Sequence, residues 1–351
     1  MTISTFRSET LGERALIAAL RSRVRGSSYS LRRSVSGLRL GIGDDCAIVR
    51  PGKGEEIVVT TDFSLEGVHF RRDWHTPESV GHRCLARGLS DLAAMGARPV
   101  AAFLSLAVPD DLLAARRGKS WVERFFDGLL ALADRHEVPL AGGDTARAPE
   151  RACFDIVLLG AVGCWRALLR SGAKAGDLIY VSGALGGAAA ELLALERGPR
   201  RFAGLTKAVA GHPHLYPEPR LIVAARLAVK RVHSAIDISD GLSTDLAHIC
   251  DESGLPAELD AWAIPVHPLA IEAARAGWVS SALDLALHGG EDYELLFTAS
   301  PEMKIPRSIA GVPLYRIGRM LPRRARRPLM VLRDGDGQVT AIEPRGWEHF
   351  R

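Results

Sequence analysis

The chain is poor in the features by which many proteins of its size declare their chemistry. It has five cysteines (Cys46, Cys84, Cys153, Cys164 and Cys250), none of them in a CxxC pair. That argues against a zinc site or a disulfide framework and fits a reducing cytoplasm. No apolar run approaches the roughly 20 residues of a membrane span. The stretch Met1–Glu9 is polar and charged and has no signal-peptide core. A cytoplasmic protein without a membrane partner is expected. The net charge is only +4 over 351 residues, so no nucleic-acid partner is expected either. Much of the excess lies in arginine runs such as Arg323-Arg324-Ala325-Arg326-Arg327, read as a solvated loop. A Walker loop and a GxGxxG motif are also missing. Gly183-Ala184-Leu185-Gly186-Gly187 follows an apolar run, but its spacing fits neither motif and favours tight strand-to-helix packing.

The bulk composition is that of a globular protein, 47% apolar and 25% charged, and the length predicts two domains. Against this ordinary background the acidic residues stand out by their neighbours. Gly41-Ile42-Gly43-Asp44-Asp45 is followed by Thr60-Thr61-Asp62, Ser90-Asp91, Gly142-Gly143-Asp144-Thr145, Asp237-Ile238-Ser239-Asp240-Gly241 and Gly289-Gly290-Glu291-Asp292. Aspartate is a poor former of strands and helices, so local propensity does not explain the recurrence. A glycosidase needs one carboxylate pair, not six clusters. An EF-hand needs its ligands at alternating positions of one loop. Hard oxygen donors gathered from several loops, with glycine for close approach and hydroxyls as neutral donors, are the means of holding magnesium beside phosphates.

The surrounding pattern alternates strands and helices. Thr10-Leu11-Gly12-Glu13 reads as a capping box opening a helix, and residues 25–39, rich in serine and arginine, read as a loop. A strand over Glu56–Thr61 should end where Asp62 begins a loop, and a helix should run from Thr76-Pro77 to Leu89. A strand over Val100–Val108, a helix over Ser120–His136, a turn at Gly142-Gly143-Asp144 and a strand over Phe154–Val162 follow. We take this half as β-α-β-β-α-β, a ferredoxin-like α+β domain. The second half should be a larger α/β domain. Its expected elements are strands at Leu178–Ser182, Val232–Ile238 and Tyr293–Thr298, and helices ending at Glu196, over Arg220–Lys230 and from Ser243. Pro213–Pro219 must be a loop.

These strings, with Leu65-Glu66-Gly67-Val68-His69-Phe70, Leu89-Ser90-Asp91-Leu92-Ala93-Ala94-Met95-Gly96-Ala97, Arg170-Ser171-Gly172-Ala173-Lys174 and Gly290-Glu291-Asp292-Tyr293-Glu294-Leu295, resemble the bacterial thiamine-monophosphate kinases. The resemblance extends from about residue 9 to Phe350, in order and spacing. The wider superfamily, which includes aminoimidazole ribonucleotide synthetase, shares the acidic pattern. The resemblance implies transfer of a phosphoryl group from ATP, as co-substrate, to thiamine monophosphate, assisted by several Mg2+ ions. It implies magnesium on Asp44, Thr60, Thr61, Asp62, Asp91, Asp144, Asp237 and Asp240, and ATP contacts from Gly143, Asp144, Arg170 and Ser239. His69, Glu291 and Trp347 would face the thiamine phosphate. Asp45 is either a ligand or a support for one, and Trp347 is either a stacking surface or a core anchor. It also implies a nucleotide-binding, dimerising domain over residues 1–163 and a second domain over 164–351 completing the site. In such a homodimer the first domains pair their sheets, and the active site lies in the cleft between domains. The usual second threonine after Gly-Gly-Asp-Thr is here Ala146.

Overall fold

The computed structural model of the chain describes residues 17, 19–20, 22–24, 37–40, 42, 46–115, 118–206, 211–323 and 328–347. The capping box at Thr10–Glu13, residues 25–36, Asp44, Asp45 and Arg324–Arg327 lie outside the described residues. The chain divides into two compact units, Met1–Leu89 with Pro99–Ala161, and Ser90–Arg98 with Val162–Arg351.

In the first unit β1 (Leu38–Leu40) pairs antiparallel with β2 (Ile48–Val49). Then come β3 (Glu55–Leu65), α1 (Pro77–Ala94, whose last residues count with the second unit), β4 (Arg98–Val108), α2 (Trp121–Arg135), β5 (Leu140–Arg147) and β6 (Cys153–Gly163). The four long strands form one sheet in the order β3-β6-β4-β5. The element order is therefore β-α-β-α-β-β, which corrects the expected ferredoxin-like β-α-β-β-α-β. The cause is Gly142-Gly143-Asp144, expected as a turn and found inside β5. This strand runs parallel to β4, a pairing that needs a crossover, and α2 supplies it. Glycine is there for proximity. Gly143 has φ +148°, and a Cβ on it would lie 1.9 Å from the Leu104 carbonyl oxygen, beside a register shift at Ala102/Phe103. Asp62, expected in a loop, likewise lies within β3.

Two helices cover one face of this sheet. α2 opens on a capping box, Ser120 accepting from the Glu123 N–H while Glu123 accepts from that of Ser120. It stacks Phe125 on Phe154 of β6 with ring centroids 4.3 Å apart. The helices meet each other through glycine. A Cβ on Gly81 of α1 would fall 1.9 Å from the Phe125 carbonyl oxygen, and one on Gly128 of α2 would fall 1.9 Å from that of Glu78. The opposite sheet face carries Ile57, Val59 and Phe63 on β3, at 36%, 61% and 54% exposure.

The second unit contains β7 (Leu178–Ser182), α3 (Gly187–Glu196), α4 (Pro199–Thr206), α5 (Leu221–Lys230), β8 (Ser234–Asp237), α6 (Leu242–Ser253) and β9 (Ala257–Asp260). There follow α7 (Pro268–Arg275), α8 (Ala282–His288), β10 (Leu295–Ala299), β11 (Ser308–Ile309), β12 (Val312–Met320), β13 (Met330–Arg333) and β14 (Val339–Ala341). The sheet order is β14-β13-β9-β12-β7-β10-β8, with β11 on β12. Only the β9–β13 pairing among those described is parallel. β8 and β10 are buried along their whole length, including Ser234, Asp237 and Thr298. Ile236 and Leu296 pack with Leu242, Leu246 and Ile249 of α6. Ala235, Leu295 and Phe297 pack with Val223, Ala224 and Leu227 of α5.

The glycine contact between α1 and α2 sets a stability prediction. Gly128→Ala should destabilise the protein by ~2–4 kcal/mol, because the obstacle is backbone that cannot yield. Gly204→Ala on α4, where a Cβ meets nothing within 4 Å, should be neutral or stabilising by up to ~1 kcal/mol. Melting temperatures of the two variants check this.

Candidate active site

The first unit presents its acidic residues along strands. Side chains alternate across a strand, so Thr60 and Asp62 point to the face that packs on α1, and Thr61 points to the open face. Asp62 forms an ion pair with Arg87 of α1 at 2.7 Å, and Arg87 also donates to the Phe63 carbonyl at 2.9 Å. The Thr61 hydroxyl donates to Asp155 on β6 at 2.6 Å. Its side chain thus does not join those of Thr60 and Asp62. His69 accepts at Nδ1 from the Leu65 N–H, 3.0 Å, which makes Nε2 the proton-bearing nitrogen of the neutral ring. Asp144 is exposed on β5 and accepts from the Thr145 N–H at 2.8 Å. A cavity of about 690 Å³ is lined by Gly142 to Thr145, by Phe103 and Leu106 of β4, and by Ile17 and Leu20.

The second unit gathers its candidates around the end of β8. Asp237, the last residue of that strand, is 4% exposed. One of its oxygens accepts from the Ser90 hydroxyl at 2.7 Å. Burial first, and then the negative charge of Asp91, push its carboxyl up to about 7, against the pull of Ser90 and of Arg170. The loop after it, Ser239-Asp240-Gly241, is wrapped around a single carboxylate. Asp245, in the first turn of α6, accepts from the N–H groups of Ser239, Asp240 and Gly241 at 3.1, 3.2 and 3.1 Å. Burial and the neighbouring Asp237 and Asp240 hold Asp245 well above the ordinary carboxylate range. Asp240, Asp245 and His248 bring their ligand atoms within 4.8 Å of one another.

Two further segments close on the same loop. The Glu291 N–H donates to the Ser239 carbonyl at 2.7 Å, with Glu291 in the left-handed region at φ +57°. Its carboxylate lies 3.0 Å from Nδ1 of His214. Near the end of the chain the Trp347 N–H donates to the Asp240 carbonyl at 3.2 Å. The preceding Gly346 N–H donates to the Thr244 hydroxyl at 3.0 Å. Trp347 is 56% exposed, which does not fit a core anchor, and it stands next to Asp240. Asp237, Ser239, Asp240, Glu291 and Trp347 are thereby brought into one loop cluster, with Asp91 and Arg170 acting on Asp237. Within the first unit Thr60 and Asp62 share one strand face, and Gly143 and Asp144 line the cavity. Arg87 and Asp245 carried no expectation from the sequence. The available signal for Asp245 was an acidic residue in the first turn of a helix, just after a glycine that cannot cap.

The donors fit a hard divalent cation. They are oxygens, and in Asp237 and Asp91 they are like charges forced together with burial, a tension that a cation relieves. Since Asp237 is raised in the folded state, its share of stability is complete below about pH 4 and is lost as pH rises through about 7. In chelator-treated protein the melting temperature should fall across that window, and less steeply in Asp237→Asn. Equal slopes would contradict the assignment.

Comparison with known proteins agrees with the geometry. The family model described as AIR synthase related protein, N-terminal domain, matches residues 43–164, and its C-terminal counterpart matches 174–324. Thiamine-monophosphate kinase of Escherichia coli (strain K12) is 36% identical over 344 residues, covering 97% of this chain and 98% of that protein. The crystal structure of thiamine-monophosphate kinase from Stenotrophomonas maltophilia K279a superposes with a TM-score of 0.74 at 36% identity, covering 93% of this chain and 98% of the other. A structure described as AaThiL complexed with AMPPCP and TMP superposes with a TM-score of 0.74 at 30% identity, covering 99% of this chain and 100% of the other. The chain belongs to the AIR synthase related proteins and, among them, to the thiamine-monophosphate kinases.

Proposed function

We propose that the chain transfers the terminal phosphoryl group of ATP to the phosphate of thiamine monophosphate, giving ADP and thiamine diphosphate. The observation that carries this reading is the loop cluster around Asp237, where carboxylates, a cationic arginine and an exposed tryptophan converge. The acceptor oxygen is already anionic at neutral pH, so no side chain has to remove a proton. The barrier lies in aligning two polyanions, which calls for positioned donors and cations rather than a base. Asp62, Asp91, Asp144, Asp237 and Asp240 with Thr60, and Asp44 beyond the described residues, would hold magnesium, which would supply neutralisation of phosphate charge. Arg170 donates to phosphate oxygens as a fixed cation. Gly143, Asp144 and Ser239 contact ATP, and the cavity beside β5 has both the apolar wall and the strand edge that a nucleotide requires.

On the acceptor side His69 presents Nε2–H to phosphate. Trp347 offers its exposed ring to the cationic thiazolium. Glu291, a carboxylate, suits the cationic and amine-bearing rings rather than the phosphate. Residues 1–163 supply magnesium and nucleotide binding, and residues 164–351 supply the second set of ligands and the acceptor contacts. We place the protein in the cytoplasm; among the described residues no helix is long and apolar enough to cross a membrane. The chain works as a homodimer that covers the open sheet face, a reading supported by the exposed row Ile57, Val59 and Phe63.

An ADP-release assay with thiamine monophosphate, with free thiamine and with no acceptor tests the reaction. Turnover is expected with the monophosphate alone, and turnover with free thiamine would sink the phosphate-acceptor assignment. Asp237→Asn should lose at least about a hundredfold in kcat with its fold retained. For the dimer, Val59→Asp should shift sedimentation at micromolar concentration from dimer to monomer, and a wild-type monomer would refute it.

A further inference from the structure

The Glu291 carboxylate is held from a distance by α3. Glu191, in the middle of that helix, is a fully buried carboxylate at 0% exposure. Both of its oxygens are spent on the proline-rich loop that follows α4. One lies 2.6 Å from Nδ1 of His212, and the other accepts from the N–H groups of His214 and Leu215 at 2.8 and 3.4 Å. A buried charge is tolerated only when so engaged, and the engagement fixes the loop against the helix. The loop in turn presents His214, 1% exposed, whose Nδ1 lies 3.0 Å from the Glu291 carboxylate. Nδ1 is the ring nitrogen turned toward that carboxylate.

The path also closes on the other side. Asp292, next in the chain, accepts from the N–H groups of Gly186 and Ala188 at 2.8 and 3.3 Å, at the N-terminus of the same helix. Close polar contacts therefore run from α3 through Glu191 and His214 to Glu291, and return through Asp292 to α3. The alternative is a histidine that merely satisfies itself in the core. Its partner, however, is a side chain still 27% exposed, on a backbone at φ +57°, where a non-glycine residue is strained.

We propose that His214, oriented by Glu191, is a positioning residue that aims the Glu291 carboxylate at the cationic part of the acceptor. This rests on the reading that Glu291 contacts thiamine monophosphate. Loss of this contact loosens the aim of the carboxylate and weakens acceptor binding, while the nucleotide side is untouched.

Steady-state kinetics of the full chain test this with His214→Ala, His214→Asn, Glu191→Gln, Glu291→Gln and the double variant His214→Ala/Glu291→Gln. His214→Ala should raise KM for thiamine monophosphate by about tenfold, with KM for ATP and kcat changed by less than about twofold. His214→Asn, which keeps an N–H donor near the position of Nδ1, should recover most of the loss. Glu191→Gln should shift the same KM in the same direction and lower the melting temperature. In the Glu291→Gln background His214→Ala should add nothing further, as expected for residues acting through one another. The proposal is overturned if His214→Ala leaves the acceptor KM unchanged while Glu291→Gln raises it. It is equally overturned if His214→Ala raises the KM values of both substrates alike. If Glu291→Gln itself leaves the acceptor KM unchanged, the reading of Glu291 fails first and the proposal falls with it.

Discussion

Asp237 ends a fully buried strand with 4% of its surface exposed and a second carboxylate, Asp91, as its electrostatic neighbour. Burying one carboxylate is unfavourable, and burying it beside another is worse. Everything around it is arranged to tolerate that tension without removing it. Ser90 donates a hydroxyl, Arg170 contributes positive charge, and β10 keeps β8 in register from one side through the Leu295–Asp237 pairing. A pocket of unresolved negative charge held in a rigid frame is a receptor for cations. In a protein that must bring two phosphate groups together, a cation held there would neutralise charge, and on the proposed reading the tension would serve catalysis rather than mark a defect of the fold.

The loop that follows shows how main chain and side chain share the work. Asp245 draws three successive N–H groups toward one carboxylate oxygen, and this fixes Ser239, Asp240 and Gly241 in a tight arc. The outward carbonyls of that arc accept from Glu291 and Trp347. Segments far apart in the chain thereby meet at one place, and each carries a different chemistry: carboxylate, hydroxyl, aromatic face. Glu191 and Asp292 repeat the same device on α3, a buried or half-buried carboxylate organising backbone donors. In this protein acidic residues build the walls of the site as well as its contents.

Much of this was legible in the sequence where local rules govern. The strand Leu178–Ser182 and the helix expected over Ser120–His136 are found where their sequence patterns put them. In the second unit Asp237, Ser239, Asp240 and Glu291 meet in one loop cluster. The misreadings have a common cause. Gly142-Gly143-Asp144 carries turn residues yet forms a strand, since the glycine serves close approach to Leu104 rather than chain reversal. Asp62 reads as the start of a loop after a strand ending at Thr61, but the strand continues to Leu65 and splits the two across its faces. Glu191, His214 and Arg87 were invisible because their importance lies in partners that no local pattern encodes.

The central claim is that clustered carboxylates bind ATP through magnesium. Calorimetric titration of the full chain with a non-hydrolysable ATP analogue, in magnesium and in excess chelator, tests it most directly. The account predicts saturable binding in magnesium, its loss by at least about a hundredfold in chelator, and the same loss in Asp237→Asn with magnesium present. Equal affinity in magnesium and in chelator would contradict it.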